Sequence, residues 1–134
     1  MQTILSDYNC EGQAQAIFEV LQYQGDWLEL APMELCRFRD VNLDKSADDD
    51  IVWRFCQEQG YLLLTGNRGT SDKHKSLEYV IRHLVTPTSL PVITIGNLKR
   101  VQADPVYRVQ CAHRLADIVA DLERYRGVMR LYLP

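Results

Sequence analysis

Short apolar runs alternate with amphipathic helical stripes along this chain, and this alternation constrains its fold more than any other feature. Four apolar runs have the length and composition of strands: residues 3–6, 61–65, 91–95 and 129–133. Between them, apolar residues recur at helical spacing, as they do within residues 14–21. Strands that alternate with helices form βαβ units around a mostly parallel sheet. We therefore predict an α/β fold, a three-layer α/β/α sandwich.

Two regions of the chain fit this pattern less regularly. Residues 27–30 are a second strand candidate that Pro32 stops, and residues 33–45 are expected to be a loop with room for a short helix at 33–38. Farther on, Ser46 is a suitable N-cap for a helix whose first turn holds three consecutive aspartates. Negative charge in the first turn complements the helix dipole. We therefore predict that this helix begins right after Ser46.

Length and composition restrict the class of protein. The chain has 134 residues, the size of one domain, and we assign residues 1–134 to a single unit. No apolar stretch approaches the roughly 18 residues that a membrane span needs, and the run before Asp7 is too short for the core of a signal peptide. We therefore predict a cytoplasmic protein without membrane contact. Its net charge of -3 means that binding to nucleic acid would depend on a local basic patch.

Acidic residues stand where strands end or helices begin. Asp7 and Asn9 follow the first apolar run, and Asp48 opens the helix after Ser46. In a parallel sheet, ligands bind at the carboxyl ends of the strands, and acids there can hold a hard divalent cation. Asp7 and Asn9 could instead cap a helix that begins near Cys10, and Asp48 could serve the helix dipole alone. Taken together, the two acids favour a metal site.

The orientation of the three aspartates follows from helix geometry. The apolar stripe of this helix consists of Ile51, Val52, Phe55 and Cys56. With about 100° per residue, Asp48 falls within roughly 10° of the centre of the stripe, and Asp49 lies on its flank. Asp50 lies nearly opposite, where it can pair with Arg54. We therefore predict that Asp48 points inward and needs a cation, a hydrogen-bond donor or an open cleft.

Three short motifs within the first 70 residues resemble those of PIN-like nuclease-type domains, in particular the compact branch found among toxin-like proteins. Members of that branch open with a strand ending in Leu-Asp-Glu-Asn. They continue with a helix that begins with an Asp and further acids, followed by an Ile. A later strand ends in Thr-x-Asp. The corresponding motifs here are Leu5-Ser6-Asp7-Tyr8-Asn9, Ala47-Asp48-Asp49-Asp50-Ile51 and Leu64-Thr65-Gly66-Asn67. The apolar run at 91–95 also fits the family layout.

This resemblance implies a metal-dependent ribonuclease that hydrolyses RNA phosphodiester bonds with a metal-activated water. Asp7 and Asp48 would bind Mg²⁺ or Mn²⁺ and act in catalysis together with Asn67, which stands where the family has its third acid. An amide oxygen can bind Mg²⁺ but brings no charge, and Asp72 could supply a further metal ligand. The resemblance also implies a toxin that pairs with an antitoxin-type protein, and a homodimer.

We assign contacts with the RNA to Asn9, Thr65, Arg68 and Lys73. The two basic residues lie in a polar segment beside the expected cleft, where cations could contact a phosphate backbone. Such segments are also typical of solvated loops. Two other functions stay open: a catalytically degraded PIN-like interaction or regulatory module, and a phosphate-ligand-binding domain that uses the backbone between Gly66 and Gly69.

Overall fold

The structure, a computed structural model, describes residues 1–67 and 76–134 of the chain. Within these ranges, one or two helices separate each strand from the next. The strands are β1 (Gln2–Ser6), β2 (Met33–Cys36), β3 (Leu62–Thr65), β4 (Val92–Ile95) and β5 (Arg130–Leu133). The helices are α1 (Glu11–Tyr23), α2 (Trp27–Leu30), α3 (Asp49–Gln59), α4 (Leu77–Leu84), α5 (Leu98–Ala103) and α6 (Pro105–Ala120). None of these helices is long and apolar enough to cross a lipid bilayer.

The five described strands form one parallel sheet in the order β2-β1-β3-β4-β5. Leu5 of β1 lies opposite Leu63 of β3, and Thr65 of β3 lies opposite Thr94 of β4. Helices cover both faces of the sheet, which confirms the predicted α/β/α sandwich. From β1 the chain moves to one side for β2 and to the other side for β3. In open sheets of this kind, ligands bind in the crevice at the carboxyl ends of the two strands where the order reverses.

The sheet separates two hydrophobic cores. Successive residues of a strand point to opposite faces, so Ile4 of β1 packs in the core of α1 and α6, whereas Leu5 packs in the core of α3 and α4. Both side chains are completely buried, and β3 and β4 are buried along their whole length. Burial on both faces explains why the central strands appear in the sequence as continuous apolar runs.

Two predicted elements near the β2 edge of the sheet are wrong. Residues 27–30 form the short helix α2 rather than a strand, and residues 33–36 form β2 rather than a loop or a short helix. A four-residue apolar run fits one helical turn as well as a strand. β2 lies at the edge of the sheet, and only Met33 of this strand is buried. Its sequence therefore lacks the continuous apolar run that marks a central strand.

The predicted start of α3 is also wrong. Ser46 does not cap this helix, because its backbone N–H and its hydroxyl donate to the carboxylate of Asp44, at 2.8 and 2.6 Å. This arrangement is a local Asx turn, which competes with helix capping. α3 begins at Asp49, and Asp48 occupies the N-cap position.

Candidate metal and substrate site

A cleft of about 370 Å³ opens beside the carboxyl ends of β1 and β3, where the strand order reverses. It brings together three of the residues predicted for the site, Asp7, Asn9 and Asn67. Lys45 and Asp49 also line the cleft, and neither was predicted to be a site residue. Carboxylates, amides and one ammonium group therefore share one crevice.

Asp7 is the first residue after β1, and hydrogen bonds hold both of its carboxylate oxygens. Oδ1 accepts from the backbone N–H of Tyr8 at 2.8 Å, and Oδ2 accepts from the hydroxyl of Thr65 at 2.8 Å. The first bond caps the 3₁₀ turn Tyr8–Cys10, so the capping role considered for Asp7 is present. A carboxylate can accept about four hydrogen bonds or ligands. The two donors therefore fix its orientation and leave acceptor capacity for an ion.

Thr65 is a buried residue that orients the Asp7 carboxylate. Its side chain is completely buried, and its hydroxyl accepts from the backbone N–H of Asn67 at 3.0 Å while it donates to Asp7. One hydroxyl therefore links the end of β1 to the segment that follows β3. This orienting role replaces the contact with substrate that we predicted for Thr65, because the residue has no exposed surface.

The structure corrects which aspartate of α3 faces inward. Asp48 is exposed and makes no side-chain cap hydrogen bond, whereas Asp49 is half-buried and lines the cleft. The buried face of α3 consists of Val52, Trp53 and Cys56. At about 100° per residue, Asp49 lies within roughly 15° of the centre of this face. The prediction failed because it counted Ile51, which is 51% exposed, and left out Trp53.

The ionisation of Asp49 reflects this position. Burial raises the pKa of its carboxyl above the ordinary value, and the negative charge of Asp7 raises it further. A hydrogen bond from the backbone N–H of Leu77 acts in the opposite direction. The influence of Asp7 means that the two carboxylates are near enough to repel each other. A cation between them would remove this repulsion.

Asp50 also departs from its predicted position. The residue is half-buried, and its Oδ1 is enclosed without a hydrogen-bond partner among the described residues. The predicted ion pair with Arg54 is not among the contacts of the described residues, and Arg54 is exposed. The carboxylate of Asp50 adds to the negative charge near Asp49, whose pKa it also raises.

Three predicted site residues, Arg68, Asp72 and Lys73, lie outside the described residues. So does Gly69, one end of the segment considered for phosphate binding. Asn9, in contrast, is exposed at the cleft and is placed to meet a ligand there. The roles that the sequence suggests for these residues stay predictions.

The thiol of Cys10 lies close to Asp7 but is not available as a nucleophile. Its side chain is completely buried, and Sγ donates to the backbone carbonyl of Leu64 at 3.4 Å. Burial raises the pKa of this thiol to about 11. The thiol is therefore protonated at neutral pH, and the thiolate is the nucleophilic form of cysteine.

Arg130 holds the segment after β3 in place, although it was not predicted to be a site residue. Its Nη1 donates to the backbone carbonyl of Asn67 and to the hydroxyl of Thr94, both at 2.6 Å, and its Nη2 donates to Glu78 at 3.0 Å. The side chain is only 9% exposed. An arginine at the start of an otherwise apolar strand is the signal that could have revealed this role, because buried charges need partners.

The groups in the cleft suit a hard cation shared with a phosphate. Among the described residues, no group of three His, Cys, Asp or Glu side chains could hold a metal ion. Asp7 and Asp49 nevertheless bring two carboxylates to the cleft, and Asn67 can add an amide oxygen. Mg²⁺ keeps several waters and is usually bound through one or two carboxylates plus substrate phosphates. The residues therefore fit Mg²⁺ or Mn²⁺ better than a protein-enclosed ion such as zinc.

Comparison of the chain with protein-family models, with curated proteins and with solved structures finds no match. The resemblance to PIN-like domains therefore rests on the three short motifs.

Proposed function

We propose that this protein is a Mg²⁺- or Mn²⁺-dependent ribonuclease of the PIN-like kind. The observation that carries the proposal is the convergence of Asp7 and Asp49, from the end of β1 and the start of α3, in one cleft. Two carboxylates that repel each other in a partly buried setting attract a divalent cation. An RNA phosphate also needs such a cation, because the acids alone would repel it.

Each residue of the cleft has a distinct part in this proposal. Asp7 and Asp49 hold the ion, and Asn67 contributes its amide oxygen in place of the family's third acid. Lys45 and Asn9 face the same space and contact the phosphate or sugar of the substrate. The bound ion would supply Lewis-acid activation of the attacking water and charge neutralisation at the phosphate. Thr65 keeps the Asp7 carboxylate in a fixed orientation through its 2.8 Å hydrogen bond.

The partners belong to the same proposal. The toxin-type role, the antitoxin-type protein partner and the homodimer follow from the resemblance to the compact PIN-like branch. RNA as substrate follows from the resemblance together with the acidic cleft and Lys45. The proposal also includes a cytoplasmic location.

A second candidate function is a catalytically degraded module that uses this fold for interaction or regulation. The observation in its favour is Asn67, which replaces an acid and leaves the described cleft with a reduced negative charge. Such a module would bind a divalent cation weakly and would leave RNA intact. Measuring cation binding and RNA cleavage together therefore separates the two candidates.

The experiment measures Mn²⁺ binding by calorimetry and cleavage of an unstructured RNA in parallel. We expect the wild-type protein to bind Mn²⁺ and to cleave the RNA only when the ion is present. Asp7→Asn should lower both affinity and cleavage by at least about 100-fold, since even the hydrogen-bond partners of metal ligands are worth about 10- to 100-fold. The matched control is Asp26→Asn, at an exposed aspartate that precedes α2 and makes no side-chain cap hydrogen bond.

Each result decides between the candidates. RNA cleavage that is lost in Asp7→Asn and kept in Asp26→Asn supports the nuclease. A wild-type protein that leaves RNA intact at saturating Mn²⁺ contradicts it and favours the degraded module.

Thr65 offers a second test of how the Asp7 carboxylate is held. Thr65→Val keeps the shape of the side chain but removes the hydroxyl that donates to Asp7, so Mn²⁺ affinity should fall by about 10-fold. Thr65→Ser retains the hydroxyl and should stay within about 3-fold of the wild type. Calorimetric titration of the two variants measures the difference. Equal affinities in Thr65→Val and Thr65→Ser would show that the hydrogen bond does not orient Asp7 for the ion.

A further inference from the structure

A second cavity of about 500 Å³ adjoins the acidic cleft. Tyr8, Phe38 and Lys45 line both cavities, so the two are neighbours, and we call them together the groove. Arg39 lines the second cavity only. The groove therefore combines carboxylates with an aromatic pair and cations.

Tyr8 presents an aromatic surface to this groove. The residue is 45% exposed, and its ring centroid lies 6.5 Å from that of Phe38, which is only 3% exposed. The buried ring supports the exposed one from one side. The backbone N–H of Tyr8 donates to the carboxylate of Asp7 at 2.8 Å, which fixes the backbone that carries the aromatic ring next to the proposed ion ligand.

The groove carries charges of both signs. Glu11 and Asp44 also line the second cavity. The carboxylate of Asp44 accepts two hydrogen bonds from Ser46, which lower its pKa, and the positive charge of Lys45 lowers it further. Lys45 is exposed and lies at the junction of the two cavities. An exposed aromatic ring beside such a cation matches how proteins bind single-stranded nucleic acid, with a base on the ring and a phosphate on the cation.

We propose that Tyr8, Phe38 and Lys45 form a nucleotide subsite next to the proposed ion site. An unpaired base stacks on Tyr8, and the phosphate that joins this nucleotide to the next one contacts Lys45. The subsite rests on the proposed function for the identity of RNA as the ligand. It requires no metal ion, so its binding is measurable apart from cleavage.

The experiment measures the affinity of a fluorescently labelled, unstructured RNA octamer by anisotropy, in EDTA and at low salt. Tyr8→Leu removes the aromatic face and should weaken binding by about 10-fold, as expected for loss of one stacked base. Tyr8→Phe retains the face and should remain within about 2-fold of the wild type. Lys45→Gln should weaken binding and reduce the slope of log affinity against log salt by about 0.7, the value for one phosphate contact with a single strand. Arg124→Gln, at an exposed cation remote from both cavities, should change neither.

The outcomes separate the subsite from the nuclease. A wild-type protein that does not bind the octamer, or a Tyr8→Leu protein that binds it as tightly as Tyr8→Phe, overturns the subsite even if RNA is cleaved with Mn²⁺. Octamer binding that depends on Tyr8 and Lys45 in a protein that never cleaves RNA supports the subsite and contradicts the nuclease. Thermal unfolding of the variants confirms that each is folded, which is expected because Tyr8 and Lys45 are exposed.

Discussion

Replacing Asp49 with Asn is expected to stabilise the metal-free protein and at the same time to abolish Mn²⁺ binding. The carboxylate of Asp49 is half-buried beside Asp7, so its charge is unfavourable in the folded state when no cation is present. An Asn side chain has nearly the same shape and can still accept the hydrogen bond from Leu77. Sites that bind ligands often carry such unfavourable groups, and replacing them trades function for stability.

The pH dependence of this effect follows from the direction of the pKa shift. Burial, with a further contribution from Asp7, raises the pKa of Asp49 above the ordinary value of 3.8. The folded protein therefore binds this proton more tightly than the unfolded chain does, and stability falls as pH rises from the unfolded pKa through the folded one. Asn does not titrate. The advantage of Asp49→Asn should therefore appear over this range and stay constant above it.

Thermal unfolding with and without Mn²⁺ measures both parts of the prediction. Without metal at pH 7, Asp49→Asn should have the higher Tm. At a Mn²⁺ concentration about 100 times the dissociation constant, the wild type should gain about 2.7 kcal/mol and the variant nothing. The matched control is Asp48→Asn, one residue away at an exposed position, where both changes should be smaller. A larger loss of Mn²⁺ binding in Asp48→Asn than in Asp49→Asn would restore the sequence-based choice of Asp48.

The sequence was most informative for elements with a regular buried face. β3 and β4 are covered on both faces, so their apolar runs predict strands, and the stripe of α4 has a single buried side. β2 lies at the edge, and its mixed sequence resembled a loop. In α3, counting Ile51 in place of Trp53 as a buried residue rotated the predicted position of the helix's buried face. The predicted inward-facing aspartate changed with it.

The candidate site could also be predicted only in part. Asp7 was predicted to lie at the cleft because strand ends in a parallel sheet meet at one edge, whereas Asn67 was chosen through the resemblance to PIN-like domains. The orienting role of Thr65 depends on β1 and β3 being neighbours, and that pairing is a property of the topology rather than of either strand. The same holds for Arg130, which reaches Asn67 from the far side of β4.

Arg130 connects four parts of the molecule through one guanidinium group. It belongs to β5, and its donors meet the segment after β3, the middle of β4 and the first turn of α4. The acceptor on α4 is Glu78, whose side chain is only 16% exposed and which also pairs with Arg82 at 3.2 Å. Loss of Arg130 would remove a donor from the carboxylate of Glu78 and from the fully buried hydroxyl of Thr94. Removing one partner of a buried ion pair is far more destabilising than removing one of an exposed pair.

Arg130→Met is therefore expected to lower the free energy of unfolding by about 3 kcal/mol, the lower end for a broken buried pair, because Glu78 keeps Arg82. Arg82→Met removes the other partner of the same carboxylate, but Arg82 is 43% exposed, and the loss should be below about 1 kcal/mol. Urea unfolding of the two variants gives both values. Adding Glu78→Gln to Arg130→Met should recover part of the stability, because it removes the uncompensated charge. Equal losses of unfolding free energy in the two arginine variants would mean that the ion pair of Arg130 is as well hydrated as a surface pair. Asn67 would then have to be held in place by other contacts.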